Sequence, residues 1–317
     1  MFLCVSPNPA IDKRLALPSL VSGRIIRACS TRSFPGGKST HVAMVLRTLG
    51  EAPQWIGPCG GATGAELVAG LSALGIQAHP CPTRQQTRTN LEILEDNGTV
   101  TEILEPGSAL SPTELATFEN ACKSLFAQGG EQATVIFSGS LPVGVAPDLY
   151  ARLIALAQEF GCRTFLDTSG EPLRRAFAAR PHFVKPNRDE AAALIGKAID
   201  SVSTAAKALR KLLSLGAHSA ALSLGADGLL YCSAENAPVL FAPALPLHPR
   251  STVGCGDAAL AGFSHAMASN SSPEDTLCLA AACAAANCLS DSPGAAKLED
   301  IRRFQSQIRV QTLPSGP

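Results

Sequence analysis

Val135-Ile136-Phe137, Thr164-Phe165-Leu166, Phe183-Val184 and Ala220-Ala221-Leu222 recur along the middle of the chain as short apolar segments, each closed by small or polar residues and followed by a helical pattern. This alternation predicts an α/β fold with a mainly parallel sheet covered by helices on both faces. Helices are expected over Ser111 to Ala127, Pro147 to Phe160 and Ser201 to Leu215, each opening with a capping residue or an early proline. Ligands of such folds bind at the carboxyl ends of the strands.

Two stretches depart from this rhythm. Residues 13–34 and 85–105 read as irregular or β-rich, and the second places Leu91-Glu92-Ile93-Leu94 and Val100-Thr101-Glu102-Ile103-Leu104 on either side of Asp96-Asn97-Gly98. That is the pattern of a hairpin with alternating faces. A small sheet inserted near the start of an α/β domain is well placed to act as a lid over the strand ends. With no internal repeat, low-complexity tract or linker in view, residues 1–317 read as one domain carrying that lid.

Composition narrows the function classes. The 317 residues balance 26 Lys+Arg against 26 Asp+Glu, so no net charge draws the chain to nucleic acid or an anionic membrane. Apolar residues make up 46% and charged ones 16%, ample for a core and unlike a disordered chain. The eleven cysteines are scattered and contain no C-x-x-C pair, which suits neither a disulfide framework nor a zinc site but does suit a reducing cytosol. Cys278, Cys283 and Cys288 are spaced by five, a rotation of about 140° on a helix, so they read as small core residues on different faces. Apolar residues at the N-terminus stop at Pro7, and no run approaches the ~20 residues that cross a bilayer. A soluble, cytoplasmic protein is expected.

The strongest chemical signal is Ser251-Thr252-Val253-Gly254-Cys255-Gly256-Asp257-Ala258-Ala259-Leu260-Ala261-Gly262-Phe263. Glycines leading into an apolar helix let backbone N–H groups converge on a phosphoryl group or a developing anion. A carboxylate beside such a site is repelled by phosphate, and Asp257 makes sense there as a base on an attacking hydroxyl. Its structural alternative is a helix cap. Phe34-Pro35-Gly36-Gly37-Lys38-Ser39-Thr40-His41 is a second glycine turn opening a helix, where Lys38 can hold a phosphate. It is not a P-loop, because that spacing needs glycine where Arg32 stands.

Weaker segments sit at other strand ends. They are Asn8-Pro9-Ala10-Ile11-Asp12, Thr87-Arg88-Thr89-Asn90 and Ser138-Gly139-Ser140-Leu141-Pro142. Lys185-Pro186-Asn187-Arg188-Asp189-Glu190 opens a helix, where Glu190 and Asn187 suit a hydrated Mg²⁺ or simply an acidic first turn. Ser223-Leu224-Gly225-Ala226-Asp227-Gly228 suits nucleotide phosphates or a plain tight turn.

Taken in order, with Gly60-Gly61-Ala62-Thr63-Gly64 between the first and second groups, these segments resemble the PfkB, or ribokinase-like, carbohydrate kinases and within them the hexose-phosphate branch. The resemblance spans nearly the whole chain and implies a ribokinase-like three-layer α/β/α fold with a small β-sheet lid. It implies that Asp257 is the catalytic base and that the amides of Gly254, Cys255 and Gly256 form the anion hole. It places Asp12 on sugar hydroxyls, and Gly36, Gly37, Lys38, Arg88, Asn90 and Ser138 around a sugar phosphate. Asn187 and Glu190 would serve Mg²⁺ and ATP, Ser223, Gly225 and Gly228 would line the nucleotide, and Lys185 would sit near the phosphates. The lid of such kinases often pairs two subunits, so a homodimer through the lid is also expected.

The expected activity is therefore ATP- and Mg²⁺-dependent phosphorylation of a hydroxymethyl group on a ketohexose monophosphate, of the fructose 1-phosphate or tagatose 6-phosphate type. Lys38 and Arg88 argue for a substrate that is already phosphorylated, since a neutral sugar gives two cations nothing to pair with. One departure bears on specificity: the usual G-G-K-G-x-N becomes Gly36-Gly37-Lys38-Ser39-Thr40-His41. Ser39 is expected to restrict backbone freedom and His41 to titrate near neutral pH. The rival readings are a kinase of another sugar or nucleoside, and a non-catalytic sugar-phosphate sensor on the same fold. Cys255 and Ala258 replace commoner residues where only the backbone is needed.

Overall fold

A computed structural model describes residues 1–314. The chain begins with β1 (Phe2–Val5), β2 (Ala10–Leu17), β3 (Ser30–Gly36), α1 (Lys38–Thr48), β4 (Gln54–Cys59), α2 (Gly61–Ala73) and β5 (Gln77–Pro82). It continues with β6 (Arg88–Glu95), β7 (Val100–Leu104), α3 (Pro112–Gly129), β8 (Thr134–Ser138), α4 (Leu149–Glu159), β9 (Arg163–Asp167) and α5 (Gly170–Ala176). Next come β10 (Phe183–Val184), α6 (Arg188–Ile195), α7 (Val202–Ser214), β11 (Ser219–Ser223), β12 (Leu229–Cys232) and β13 (Leu240–Ala242). The last elements are α8 (Cys255–Ala268), α9 (Pro273–Cys288), α10 (Leu298–Gln307) and β14 (Gln311–Thr312).

Ten strands form one sheet in the order β14-β13-β12-β11-β10-β9-β8-β1-β4-β5, parallel from β11 to β5 and antiparallel beyond β11. Alternate residues of each strand enter different cores. Leu3, Val5, Val135, Phe137 and Leu166 pack under α3, α4 and α7, while Phe2, Cys4, Ile136 and Phe165 pack under α1, α8 and α9. Strands covered on both faces read as unbroken apolar runs, which is why the central segments were visible in the sequence. The helices lie close to the expected spans, but the one expected from Pro147 opens only at Leu149, after Asp148, with no side-chain cap. Ser111 and Ser201 both accept from the N3 backbone amide, and Pro112 occupies the first turn. Among the described residues no helix is long and apolar enough to cross a membrane.

The second sheet has the order β3-β2-β6-β7. Its strands run from Ala10 rather than 13 and end at Gly36 rather than 34, with non-strand residues 18–29 between them. The β6–β7 hairpin turns at Asp96-Asn97-Gly98, pairing Leu94 with Val100. In the large sheet, β1 has β4 on one side and β8 on the other. The chain order reverses there, and the carboxyl ends of β1 and β8 diverge to leave a crevice in which α/β folds bind ligands.

Candidate active site

That crevice is one cleft of about 1370 Å³, and it gathers the strand-end segments. Asp12, Gly37, Lys38, Arg88, Asn90, Ser138, Lys185, Asn187, Glu190, Ser223, Gly225, Gly228, Gly254, Cys255, Gly256 and Asp257 all line it. Gly36 lies behind it, and a Cβ there would run into the Asp12 carboxylate. The Gly60 to Gly64 motif does not line the cleft: the Gly60 amide donates to Thr87 Oγ1 and Thr63 Oγ1 donates to the Thr87 carbonyl. It anchors the entry to β6.

Helix α8 presents its N-terminus to the cleft. Gly254 caps it with φ of 78°, where a Cβ would come within 2.9 Å of Pro293. The opening amides of a helix have no partner within it. Cys255 N reaches back to the Thr252 carbonyl at a long 3.3 Å. Asn287 braces this turn by donating Nδ2 to the Val253 carbonyl at 2.8 Å and accepting from Gly294 N at 2.9 Å. Asp257 is 5% exposed in the first turn of α8.

His41 lies between two carboxylates. Its Nδ1 is 2.9 Å from Asp257 Oδ2 and its Nε2 is 2.8 Å from Asp12 Oδ2. Burial alone would lower its pKa, but the hydrogen bonds and charges of Asp12 and Asp257 outweigh that and push it up to about 10. The expectation that His41 titrates near neutral pH is thereby overturned. Asp12 also accepts from Asn90 Nδ2 at 2.9 Å. Burial opposes its ionisation, yet His41, Asn90 and the Gly37 amide hold it below the usual carboxylate range. Ser39 is likewise corrected. It is a helical residue of α1, the left-handed backbone falls on Gly37, and Ser39 Oγ donates to the carbonyls of Val5 at 2.6 Å and Ser138 at 2.9 Å. Its hydroxyl ties α1 to the crevice between β1 and β8.

On the small-sheet side, Arg88 donates to the carbonyls of Glu105 at 2.6 Å and Asn8 at 3.0 Å, so backbone rather than a carboxylate holds its guanidinium. Arg88 Nε, Asn90 Oδ1 and Ser138 Oγ are buried and unpartnered. Such atoms cost free energy unless a ligand or water completes them. Glu102 faces the same cleft, and burial and the charges of Glu92 and Asp12 raise its pKa.

On the other side, Lys38 Nζ stands 3.6 Å from Asp167 Oδ1 and Lys185 Nζ 3.0 Å from Asp167 Oδ2. Lys38 thus turns toward Asp167 at the centre of the cleft rather than toward Arg88; Asp167, Asp257 and Glu190 all favour its charged form. Lys185 approaches the turn that opens α8, since a Cβ on Gly256 would lie 3.2 Å from its Nζ. Asn187 and Glu190 form a capping box on α6, each accepting the other's backbone amide at 2.8 Å. That realises the acidic first turn and leaves one Glu190 oxygen outside the box. Ser223 ends β11, and Gly225 and Gly228 bound the turn into β12.

Three further features escaped the sequence reading. Asp167 was missed although it directly follows the apolar segment 164–166. Cys255 and Cys288 bring their Sγ atoms to 3.2 Å across α8 and α9, with no disulfide. The small sheet also touches the loop that leads into α8: Arg14 pairs with Glu92 at 2.8 Å, and Ser251 Oγ donates to Glu92 Oε1 at 3.0 Å.

The family model described as pfkB family carbohydrate kinase matches residues 10–300. The chain is 33% identical to 1-phosphofructokinase of Rhodobacter capsulatus over 311 residues, covering 98% of this chain and 97% of that one. It is 30% identical to ATP-dependent 6-phosphofructokinase isozyme 2 of Escherichia coli over 303 residues, covering 95% and 96%. A solved structure of the tetrameric inhibited form of phosphofructokinase-2 from Escherichia coli matches with a TM-score of 0.88 at 28% identity, covering 96% and 98%.

Proposed function

Since the chain belongs to the pfkB family of carbohydrate kinases, we propose that it transfers the γ-phosphoryl group of ATP to a hydroxymethyl group of a ketohexose monophosphate, giving the bisphosphate. The observation that carries this reading is the facing of two sites across one cleft. The α8 N-terminus with Asp257 lies on one wall, and the unpartnered Arg88 Nε, Asn90 Oδ1 and Ser138 Oγ lie on the other. A guanidinium without a bonded carboxylate suits the phosphate already on the sugar.

In this reading Asp12 and Asn90 orient the sugar, and the free oxygen of Asp257 takes the proton of the attacking hydroxyl. The amides of Gly254, Cys255 and Gly256 meet the charge of the transferred group. Lys38 and Lys185, both drawn to Asp167, stand where that charge moves. Ser223, Gly225 and Gly228 line the nucleotide. Magnesium brought with ATP would neutralise phosphate charge; Glu190, with one oxygen outside its capping box, is suited to hold it through water, and Asn187 keeps Glu190 in place. The four-stranded sheet acts as a lid that excludes water from the transfer, within a single 1–317 domain. Exposed Ile103 on its β7 and Ile25 in the connection between β2 and β3 offer an apolar contact for a second copy.

The test is ADP release with Mg–ATP over fructose 1-phosphate, tagatose 6-phosphate, fructose 6-phosphate, ribose and a nucleoside, with Asp257→Asn as control. A ketohexose phosphate is expected to lead in kcat/KM by orders of magnitude, and the control is expected to lose turnover while binding ATP. Turnover of only a neutral sugar or nucleoside would overturn the substrate class. Ligand binding without ADP release would indicate a sensor.

A further inference from the structure

His41 has two acidic partners from distant parts of the chain. Each of its ring nitrogens is within hydrogen-bond distance of a carboxylate Oδ2, and each contact needs one proton. Between two ionised carboxylates a neutral imidazole supplies only one, leaving the other nitrogen's lone pair facing an oxygen lone pair. An imidazolium supplies both. Asparagine has no positive charge to place there.

We propose that His41 is a positioning residue: an imidazolium held between Asp12 and Asp257 that keeps Asp257 ionised and ties the sugar-binding carboxylate to the base. This rests on the reading of Asp257 as the base. Two carboxylates sharing a buried site repel each other, and one of them takes up a proton unless a cation stands between them. The ring is 5% exposed, so water does little to relieve that repulsion. The surrounding charges act in both directions. Glu102 from β7 adds negative charge near all three groups, Lys38 from α1 acts on Asp257, and Arg88 from β6 acts on Asp12. Among the described residues, only His41 hydrogen-bonds both carboxylates. With Asp257 Oδ2 taken by the ring, Oδ1 is left for the substrate hydroxyl, so the bridge fixes which oxygen acts.

The experiment is the pH profile of kcat at saturating substrates for the wild type, His41→Asn, Asp12→Asn and the double variant. His41→Asn is expected to move the acid limb up by at least one pH unit and to lower kcat about tenfold on that limb. In the Asp12→Asn background the same change should move the limb far less, because the second carboxylate is gone. An unmoved limb, or equal movement in both backgrounds, would overturn the proposal. Should His41→Asn fail to fold, ¹⁵N-histidine NMR of the wild type reads the ring directly, with His41 assigned by replacing the other five histidines singly. Both nitrogens should be protonated at pH 8, and a neutral tautomer would overturn the bridge. Turnover by Asp257→Asn would instead bring down the assignment of the base, leaving the NMR result to judge the bridge.

Discussion

Lys185 Nζ lies 3.0 Å from Asp167 Oδ2, with the two side chains 3% and 2% exposed. Breaking a buried pair from one side leaves an uncompensated charge, typically at a cost of about 3–5 kcal/mol. Asp167→Asn should destabilise by that order, because Lys185 and Lys38 then face each other without their carboxylate. Urea unfolding checks this, and a loss below about 1 kcal/mol would contradict it.

The same aspartate sets the acid behaviour. Burial opposes its ionisation, but Lys185 and Lys38 hold its pKa below the usual range, and Asp12 is depressed through His41. A depressed folded pKa contributes stability above the unfolded value of about 3.9 and loses it as pH falls through the folded one. Wild-type unfolding free energy should therefore fall steeply below about pH 4. Asp167→Asn should show a flatter acid slope in the same titration.

The sign reverses for His41. Its folded pKa of about 10 stands above the unfolded 6.5, so its contribution is complete below pH 6.5 and is lost as pH rises through 10. Between those limits the stability difference between wild type and His41→Asn should shrink steadily. Chemical denaturation at pH 6, 8 and 10 measures it, and a constant difference would contradict the raised value.

Cys255 lines the cleft, but the proposed chemistry uses only its amide. Cys255→Ala and Cys288→Ser should each keep kcat within about threefold, since a surviving backbone donor preserves the stabilisation that costs 10²–10³ when lost. Steady-state kinetics decides this, and a hundredfold fall would give the thiols a role of their own.

Ile25 is 92% exposed and Ile103 51%, both on or beside the small sheet. If a second copy covers them, Ile25→Asp with Ile103→Asp should convert a dimer to a monomer in light scattering. An unchanged mass would exclude this surface as the contact.

The central strands were readable because 135–137, 164–166, 183–184 and 220–222 are covered on both faces and must be apolar throughout. The glycine turns at 36–37 and 254–256 were readable for a different reason: their backbones do the work. Asp167 was lost because an apolar run was read to its last hydrophobe, whereas the ligand side of a parallel strand begins one residue later. The two carboxylate partners of His41 were out of reach. Its neighbours in sequence are uncharged, and its partners lie 29 and 216 residues away. The Cys255–Cys288 contact depends likewise on how α8 meets α9, which no spacing within either helix encodes.

Ser251 hands the Glu92 carboxylate of the small sheet to the loop that opens α8. Val253 N donates to the same hydroxyl at 3.2 Å, so one oxygen joins the small sheet to the loop that opens α8. Displacing either side therefore costs a hydrogen bond to the other. In the proposed kinase, seating the small sheet over an acceptor would also steady the loop that opens α8, and idle hydrolysis of ATP should stay low wherever that contact is loosened.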